Sequence, residues 1–172
     1  AGMISVHFVN VQNFGTLVAP YCGSEARFGT NPFCLAMPKT DKYGPFILDF
    51  ATSIVAMGKT RVAHLAGKHF DEPVMLDTAG HPTTDPSVMW QEPRGALMAF
   101  AKHKGSGLCW ACELMAGILS GGGTIEPSRP RDGSIVNNMT AFVIDPAALT
   151  NLEWMRREID AMNDYVKSSP AP

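Results

Sequence analysis

The run from Leu108 to Leu119, LCWACELMAGIL, carries a single charge, Glu113. Glycines stand on both sides of it, Gly105 and Gly107 before and Gly121 to Gly123 after. Its length suits a helix, and a helix without a polar stripe is expected to bury most of its surface. Covering such a helix requires layers packed around it, which restricts the chain to a few architectures. The wider stretch, KHKGSGLCWACELMAGILSGGG, starts basic and glycine-rich and places Cys109 and Cys112 in a Cys-x-x-Cys spacing. Three readings stand open: an anion cradle at a helix start, a thiol redox pair, or a buried helix with flexible ends.

The rest of the chain supplies strands and further helices. ISVHFVNV (Ile4 to Val11) alternates in part and is rich in β-branched residues, so it reads as a strand. FCLAMP, PFILDF, PVMLD and NNMTAFVID read the same way, with KTDKYG as the turn between the first two. In SIVAMGKTRVAHLAGKH the period changes and places Ile54, Met57, Val62 and Leu65 near one helical face. Ser53 is the expected N-cap of that helix and Gly67 its stop. TNLEWMRREIDAMNDYVKSS reads as an amphipathic helix. NFGTLVAPYCGSEARFGTNP and TIEPSRPRDG read as loops, and GHPTTDP as a turn that Asp85 caps. Long loops inside a domain are often functional. Strands and helices alternate loosely, with some adjacent strand pairs, which favours an α/β or mixed α+β layer structure.

Bulk composition removes several classes of function. A chain of 172 residues suits one domain with a real core. Apolar residues make up 45% and charged residues 17%, which argues against disorder. The formal net charge of −2 offers no basic field for nucleic acid or an anionic membrane. No apolar run approaches the roughly 20 residues that span a bilayer, and the start does not read as a signal peptide, so the cytoplasm is the default compartment. Cys22, Cys34, Cys109 and Cys112 are too sparse for a disulfide scaffold and suit reducing surroundings. The chain opens AGMISVHF without an initiator Met and closes DYVKSSPAP just after a helical pattern. Both ends read as cut, and a fragment of a longer protein is expected.

The motifs narrow the chemistry. In HKGSGL, Gly105 and Gly107 allow close backbone approach, and the helix that follows would point unpaired N–H groups and a positive dipole end outward. With Lys104 this suits an anion such as a pyrophosphate; the plainer reading is a flexible helix start with a solvated lysine. No G-x-G-x-x-G follows a strand, so a Rossmann fingerprint is absent. The CWAC pair could support disulfide exchange, although thiols on an apolar helix behave as small hydrophobes. In LDFATS, Asp49 could accept from a ribose hydroxyl or orient a catalytic group, or it could simply match a helix dipole. His7, His64, His69, His81 and His103 form no ligand cluster, so no metal is expected, and His103 stands out only by its position beside the glycines.

RFGTNPF, LDFATSIVAMGKTRVA, GHPTTDP and HKGSGL, in this order and spacing, resemble the malate/L-lactate dehydrogenase family of NAD(P)-dependent 2-hydroxyacid and imino-acid reductases. The hydroxycarboxylate dehydrogenases are the nearest members, and the resemblance covers nearly the whole chain. It implies a non-Rossmann mixed sheet flanked by helices in three layers, with 1–172 as the nicotinamide cofactor-binding domain of a longer, two-domain enzyme. NAD or NADP would contact Asp49, Phe50, Ala51, Thr52, Ser53, His103, Lys104 and Gly105. The substrate would be a 2-oxo or 2-hydroxy acid and the full-length enzyme a homodimer, with its active site near the subunit interface. The family's catalytic histidine lies in an upstream Ser-His-Gly motif that this chain lacks, so the acid/base group is expected elsewhere and the chain alone inactive. Where the family has a small hydroxyl residue after Asn10, this chain has Val11. On this reading the CWAC pair is packing behind the cradle. The alternatives are a thiol redox protein using Cys109 and Cys112, and a binding module without turnover.

Overall fold

The computed structural model describes residues 2–12, 15–129 and 132–170. The loop expectations at 13–14 and 130–131 lie outside the described residues. The element order is β1 (Ile4–Gln12), β2 (Val18–Ala19), β3 (Phe33–Met37), β4 (Phe46–Phe50), α1 (Met57–Leu65), β5 (Met75–Leu76), β6 (Pro82–Thr83), β7 (Ala96–Met98), α2 (His103–Leu119), β8 (Val136–Ile144) and α3 (Leu152–Lys167). Short 3-10 turns occupy Pro86–Met89 and Pro146–Ala148. The mixed α/β class is as expected, with the strands divided between two four-stranded sheets, β4-β3-β1-β8 and β2-β7-β5-β6. No helix among the described residues is long and apolar enough to cross a membrane.

The chain forms two compact units. One comprises Ala1–His7, Cys34–Asp49 and Ala141–Pro172; the other comprises Phe8–Phe33 and Phe50–Thr140. The larger unit holds the mixed sheet. β2 runs parallel to β7 with Val18 opposite Leu97, and β5 runs antiparallel to β7 with Met75 opposite the same Leu97. All three side chains are fully buried and join Leu17, Phe28, Val74, Met89 and Cys109 in one core cluster. Asp85 caps the 3-10 turn as expected: its carboxylate accepts from the Ser87 N–H at 2.9 Å and the Ser87 hydroxyl at 2.7 Å.

Two helices differ from the sequence reading. α1 begins at Met57, with Ala56 as N-cap and no side-chain cap. Ser53 does not cap it, because the chain there is held extended: Ser53 pairs with Ala99, and the Ile54 N–H donates to the Met98 carbonyl. Of the expected apolar face only Met57 packs against the core; Val62 is 69% and Leu65 74% exposed, while Thr60 is the buried position. Burial of Thr60 costs little because its hydroxyl donates to the Met57 carbonyl at 2.7 Å and accepts from the Trp90 indole at 3.3 Å. The stop at Gly67 is as read. Gly67 has φ +62°, its N–H bonds the His64 carbonyl, and the Lys68 N–H reaches back to Ala63, the paired bonds of a Schellman cap.

α2 starts five residues earlier than the apolar run, at His103, so Gly105 and Gly107 sit inside its first turns rather than in a loop. Nor is it buried all round. Its inner face is Gly105, Ser106, Cys109, Cys112, Glu113, Ala116 and Gly117, whereas Trp110, Leu114 and Ile118 are exposed. Small residues let the helix approach neighbouring backbone closely: a Cβ on Gly117 would lie 2.5 Å from the Gly123 carbonyl oxygen.

In the smaller unit, α3 is the amphipathic helix expected, capped by the Asn151 side chain, which accepts from the Trp154 N–H at 2.9 Å. The 40–43 turn is fastened to it. Thr40 donates to Asp160 at 2.6 Å, and Lys42 Nζ reaches both Asp164 oxygens at 2.6 Å. The Tyr43 hydroxyl donates to the same Asp164 carboxylate, and the Lys167 ammonium lies 3.9 Å from the Tyr43 ring centroid. Hydrogen bonds from Lys42 and then Tyr43 hold the Asp164 carboxyl below its ordinary value of 3.8. A depressed folded value means that this stabilisation is present above about pH 3.8 and fades as pH falls through the lower folded value. Asp164→Asn is therefore expected to lower the thermal midpoint at neutral pH, with the gap to the unaltered protein closing in acid; melts across an acid pH series measure it.

Candidate functional site

The start of α2 is an unusual piece of backbone. Ala101 (φ +45°) and Lys102 (φ +57°, ψ −123°) are consecutive non-glycine residues in the left-handed half of the map. Such conformations cost on the order of 1–3 kcal/mol each and persist where the surroundings impose them. Here the neighbour imposes a close fit, since a Cβ on Gly105 would lie 1.9 Å from the Phe100 carbonyl oxygen. Gly107, by contrast, faces open space. The first turn has no acidic residue and its cap, Lys102, supplies no side-chain bond. Lys102, His103 and Lys104 are all exposed, so three basic-type side chains crowd the positive end of the helix dipole. The His103 ring meets Tyr21 edge-on, with centroids 5.9 Å apart, and the Tyr21 N–H donates to the Ser106 hydroxyl at 3.0 Å.

The segment singled out in the sequence, Asp49 to Ser53, is divided between the two units after Asp49. Asp49 is exposed on β4 in the smaller unit. In the larger unit Phe50 packs its ring between Phe33 and Phe100, at centroid distances of 6.0 and 5.1 Å, and Ala51 is half-buried. Thr52 is fully buried; its hydroxyl donates to the carbonyls of Thr30 at 2.9 Å and Asn31 at 3.0 Å. Its own carbonyl accepts from the Phe100 N–H. Ser53 donates to the Val55 carbonyl at 2.8 Å. The side chains of Phe50, Thr52 and Ser53 are thus committed inside the fold, and of the eight residues marked in the sequence only Asp49, His103 and Lys104 present exposed side chains.

Against the α2 start lies a cavity of about 630 Å³, within the size range of small-molecule sites. Ile54, Leu76, Met98 and Ala99 give it apolar walls, the Pro20–Ser24 loop closes one side, and Ala101 and Lys102 stand at the helix end. None of the eight marked residues lines it; their immediate neighbours, Ile54 after Ser53 and Lys102 before His103, do. The Tyr21 and Cys22 wall was missed in the sequence. Its signal was weak: a turn-forming APYCGS stretch in which Cys22 adopts φ +65°.

Behind α2 is a buried polar network. The Glu113 carboxylate accepts from Asn10 Nδ2 at 3.0 Å, from Asn31 Nδ2 at 2.8 Å and from the Ile125 N–H. Asn10 in turn accepts from Asn138 at 2.9 Å. Cys109 and Cys112 lie on the same inner face, and burial pushes their thiols up to about 12 and about 11. They donate weakly to the carbonyls of Gly29 and Pro32. Thiols so strongly protonated at neutral pH have the opposite character from a redox pair. No group of three His, Cys, Asp or Glu residues that could hold a metal occurs among the described residues.

The family model described as malate/L-lactate dehydrogenase matches residues 1–172. The chain belongs to this family. It is 42% identical over 170 residues to an L-lactate dehydrogenase of Cupriavidus necator, covering 99% of this chain and 49% of that protein. It is also 42% identical over 172 residues to hydroxycarboxylate dehydrogenase B of Escherichia coli, covering 99% and 47%. Among solved structures it is similar to an E. coli protein described as a malate/lactate dehydrogenase, with a TM-score of 0.90 and 40% identity over 99% of this chain and 48% of the other. A delta1-piperideine-2-carboxylate reductase of Pseudomonas syringae follows at a TM-score of 0.81 and 26% identity, covering 99% and 51%. The chain spans about half the length of these malate/L-lactate dehydrogenase relatives.

The thiol chemistry gives a direct check on the site. In the native protein at neutral pH, Cys22 is expected to react with a maleimide or disulfide reagent while Cys109 and Cys112 stay unmodified until the chain is unfolded. Mass mapping of the labelled peptides reads this out, and rapid native labelling of Cys109 or Cys112 would revive the redox reading.

Proposed function

We propose that this chain is the cofactor-binding part of an oxidoreductase that moves a hydride between NAD(P)H and a 2-oxo or 2-hydroxy acid. The single observation that carries the reading is the match of the dehydrogenase family over the whole chain. The geometry of the larger unit fits the cofactor. A nicotinamide dinucleotide needs a place for two phosphates and apolar room for a planar ring. The α2 start offers a dipole end without acidic neighbours, together with Lys102, His103 and Lys104. The adjoining cavity offers walls from Ile54, Met98 and Ala99. On this reading Lys102 and Lys104 hold phosphate oxygens, and the Tyr21 loop covers the ring from the other side.

A nicotinamide cofactor held there would supply a hydride for reduction of the oxo-acid carbonyl carbon. The proton for the carbonyl oxygen would come from an acid, a role the family resemblance gives to the histidine of a Ser-His-Gly motif that this sequence does not contain. What these residues contribute is binding and orientation: fixed charge for the phosphates and an apolar wall that keeps water from one face of the ring.

Titration of the chain with NADH and NADPH, followed by fluorescence of the reduced nicotinamide, tests the reading. Lys102→Ala and Lys104→Ala are each expected to weaken binding by about tenfold, the loss of roughly 1.4 kcal/mol from one charge-assisted contact. Unchanged affinity for both cofactors in both variants removes the α2 start from the site. Binding without turnover of a 2-oxo acid is the expected result, because the acid is assigned to a Ser-His-Gly motif that this sequence does not contain.

A further inference from the structure

We propose that Asn31 is a positioning residue that fixes the spacing between the α2 start and the Thr52 segment, and so the affinity for the cofactor. This rests on the cofactor reading above. Asn31 is fully buried and adopts φ +29°, a conformation that asparagine tolerates better than most side chains. Its Nδ2 donates to two acceptors on α2, the Cys109 carbonyl at 3.1 Å and Glu113 Oε2 at 2.8 Å. Its Oδ1 accepts from the Val11 N–H at 3.3 Å, and its backbone carbonyl accepts from the Thr52 hydroxyl.

These bonds belong to a closed ring. From Asn31 the path runs through the hydroxyl of Thr52, then from the Thr52 carbonyl to the Phe100 N–H. The Phe100 carbonyl abuts Gly105 at the start of α2, and the helix returns through Cys109 and Glu113 to Asn31. Thr52, from the Asp49–Ser53 stretch that the sequence marks for the cofactor, and Gly105, from the His103–Gly105 stretch, therefore sit on one loop of hydrogen bonds and tight backbone contact. Gly29 keeps the closure possible, since a Cβ there would lie 2.9 Å from Asn31 Oδ1. Without the Asn31 amide, the arc of the ring that joins α2 to Asn31 opens, and only the Phe100–Gly105 arc and the Cys109–Thr52 contact still tie α2 to the Thr52 segment. A shift of a fraction of an ångström at the helix start then misplaces the groups that meet the phosphates.

The test is NADH or NADPH binding by the full chain, with thermal midpoints measured in parallel. Asn31→Ala is expected to weaken binding by about tenfold or more. Glu113→Gln keeps the side-chain shape but turns one acceptor into a donor, and it is expected to move affinity in the same direction. It decides the question if Asn31→Ala does not fold. Met89→Ala removes core packing at a residue that makes none of the ring's bonds and lowers the midpoint by a similar or greater amount, yet should leave affinity within about twofold. The proposal falls if the ring variants bind within about twofold of the unaltered protein, or if Met89→Ala at a matched midpoint weakens binding as much. Absence of binding by the unaltered chain overturns the cofactor reading itself, and the proposal with it.

Discussion

Glu113 is a carboxylate almost sealed from water, and it accepts hydrogen bonds from amide N–H groups: Asn10, Asn31 and the backbone of Ile125. A buried charge without such donors would cost several kcal/mol, so each donor is held to its place as firmly as the carboxylate is. Those donors come from β1, from the turn before β3 and from the chain after α2. One side chain thereby registers three segments against the middle of one helix. The reach of Glu113 is short, and it works only because α2 lies close to its neighbours. Glycine, serine, cysteine and alanine on its inner face permit that approach. Oε1 holds two donors, Asn10 and Ile125, whereas Oε2 takes its bond from Asn31, so removal of the Asn31 amide is the change that strips an oxygen of its donor in a dry interior.

The long elements were legible in the sequence because periodicity accumulates over many residues. β1, β3, β4, β8 and α3 appear close to where their patterns placed them. β2 and β6 are two residues each, and β7 three, too short for alternation to register; β2 and β7 exist because Val18 and Leu97 meet Met75 in the core, and β6 because Thr83 pairs with Met75. α2 was read as a helix correctly, but its buried face was not. Without a polar stripe it was expected to be buried on most sides, whereas Trp110, Leu114 and Ile118 are exposed and the inner face is made mostly of small residues. α1 misled for a related reason: apolar residues are not obliged to lie inside, and a hydrogen-bonded threonine can take the interior position. In the site, the α2 start was visible because glycines and basic residues cluster within one short stretch. The Tyr21–Cys22 wall was not, because it reaches that stretch through tertiary contacts, of Tyr21 with Ser106 and with the His103 ring.

The strained turn at Ala101 and Lys102 follows from the same crowding. The chain leaves β7, gives up its Phe100 N–H to Thr52, and must reverse within two residues to begin a helix on top of its own carbonyl. The left-handed angles at 101 and 102 are the geometry of that reversal, and the Thr52 and Gly105 contacts on either side hold it in place.

The atom that forbids a side chain at position 105 is the Phe100 carbonyl oxygen, and every amino acid at position 100 would carry the same atom. The dependence therefore runs one way. Position 100 can drift among residues able to fill the space beside Phe50 without releasing position 105 from glycine. No second change at position 100 can rescue a first at 105, so for lineages descended from this chain the helix start is a locked inheritance, not a negotiable pair.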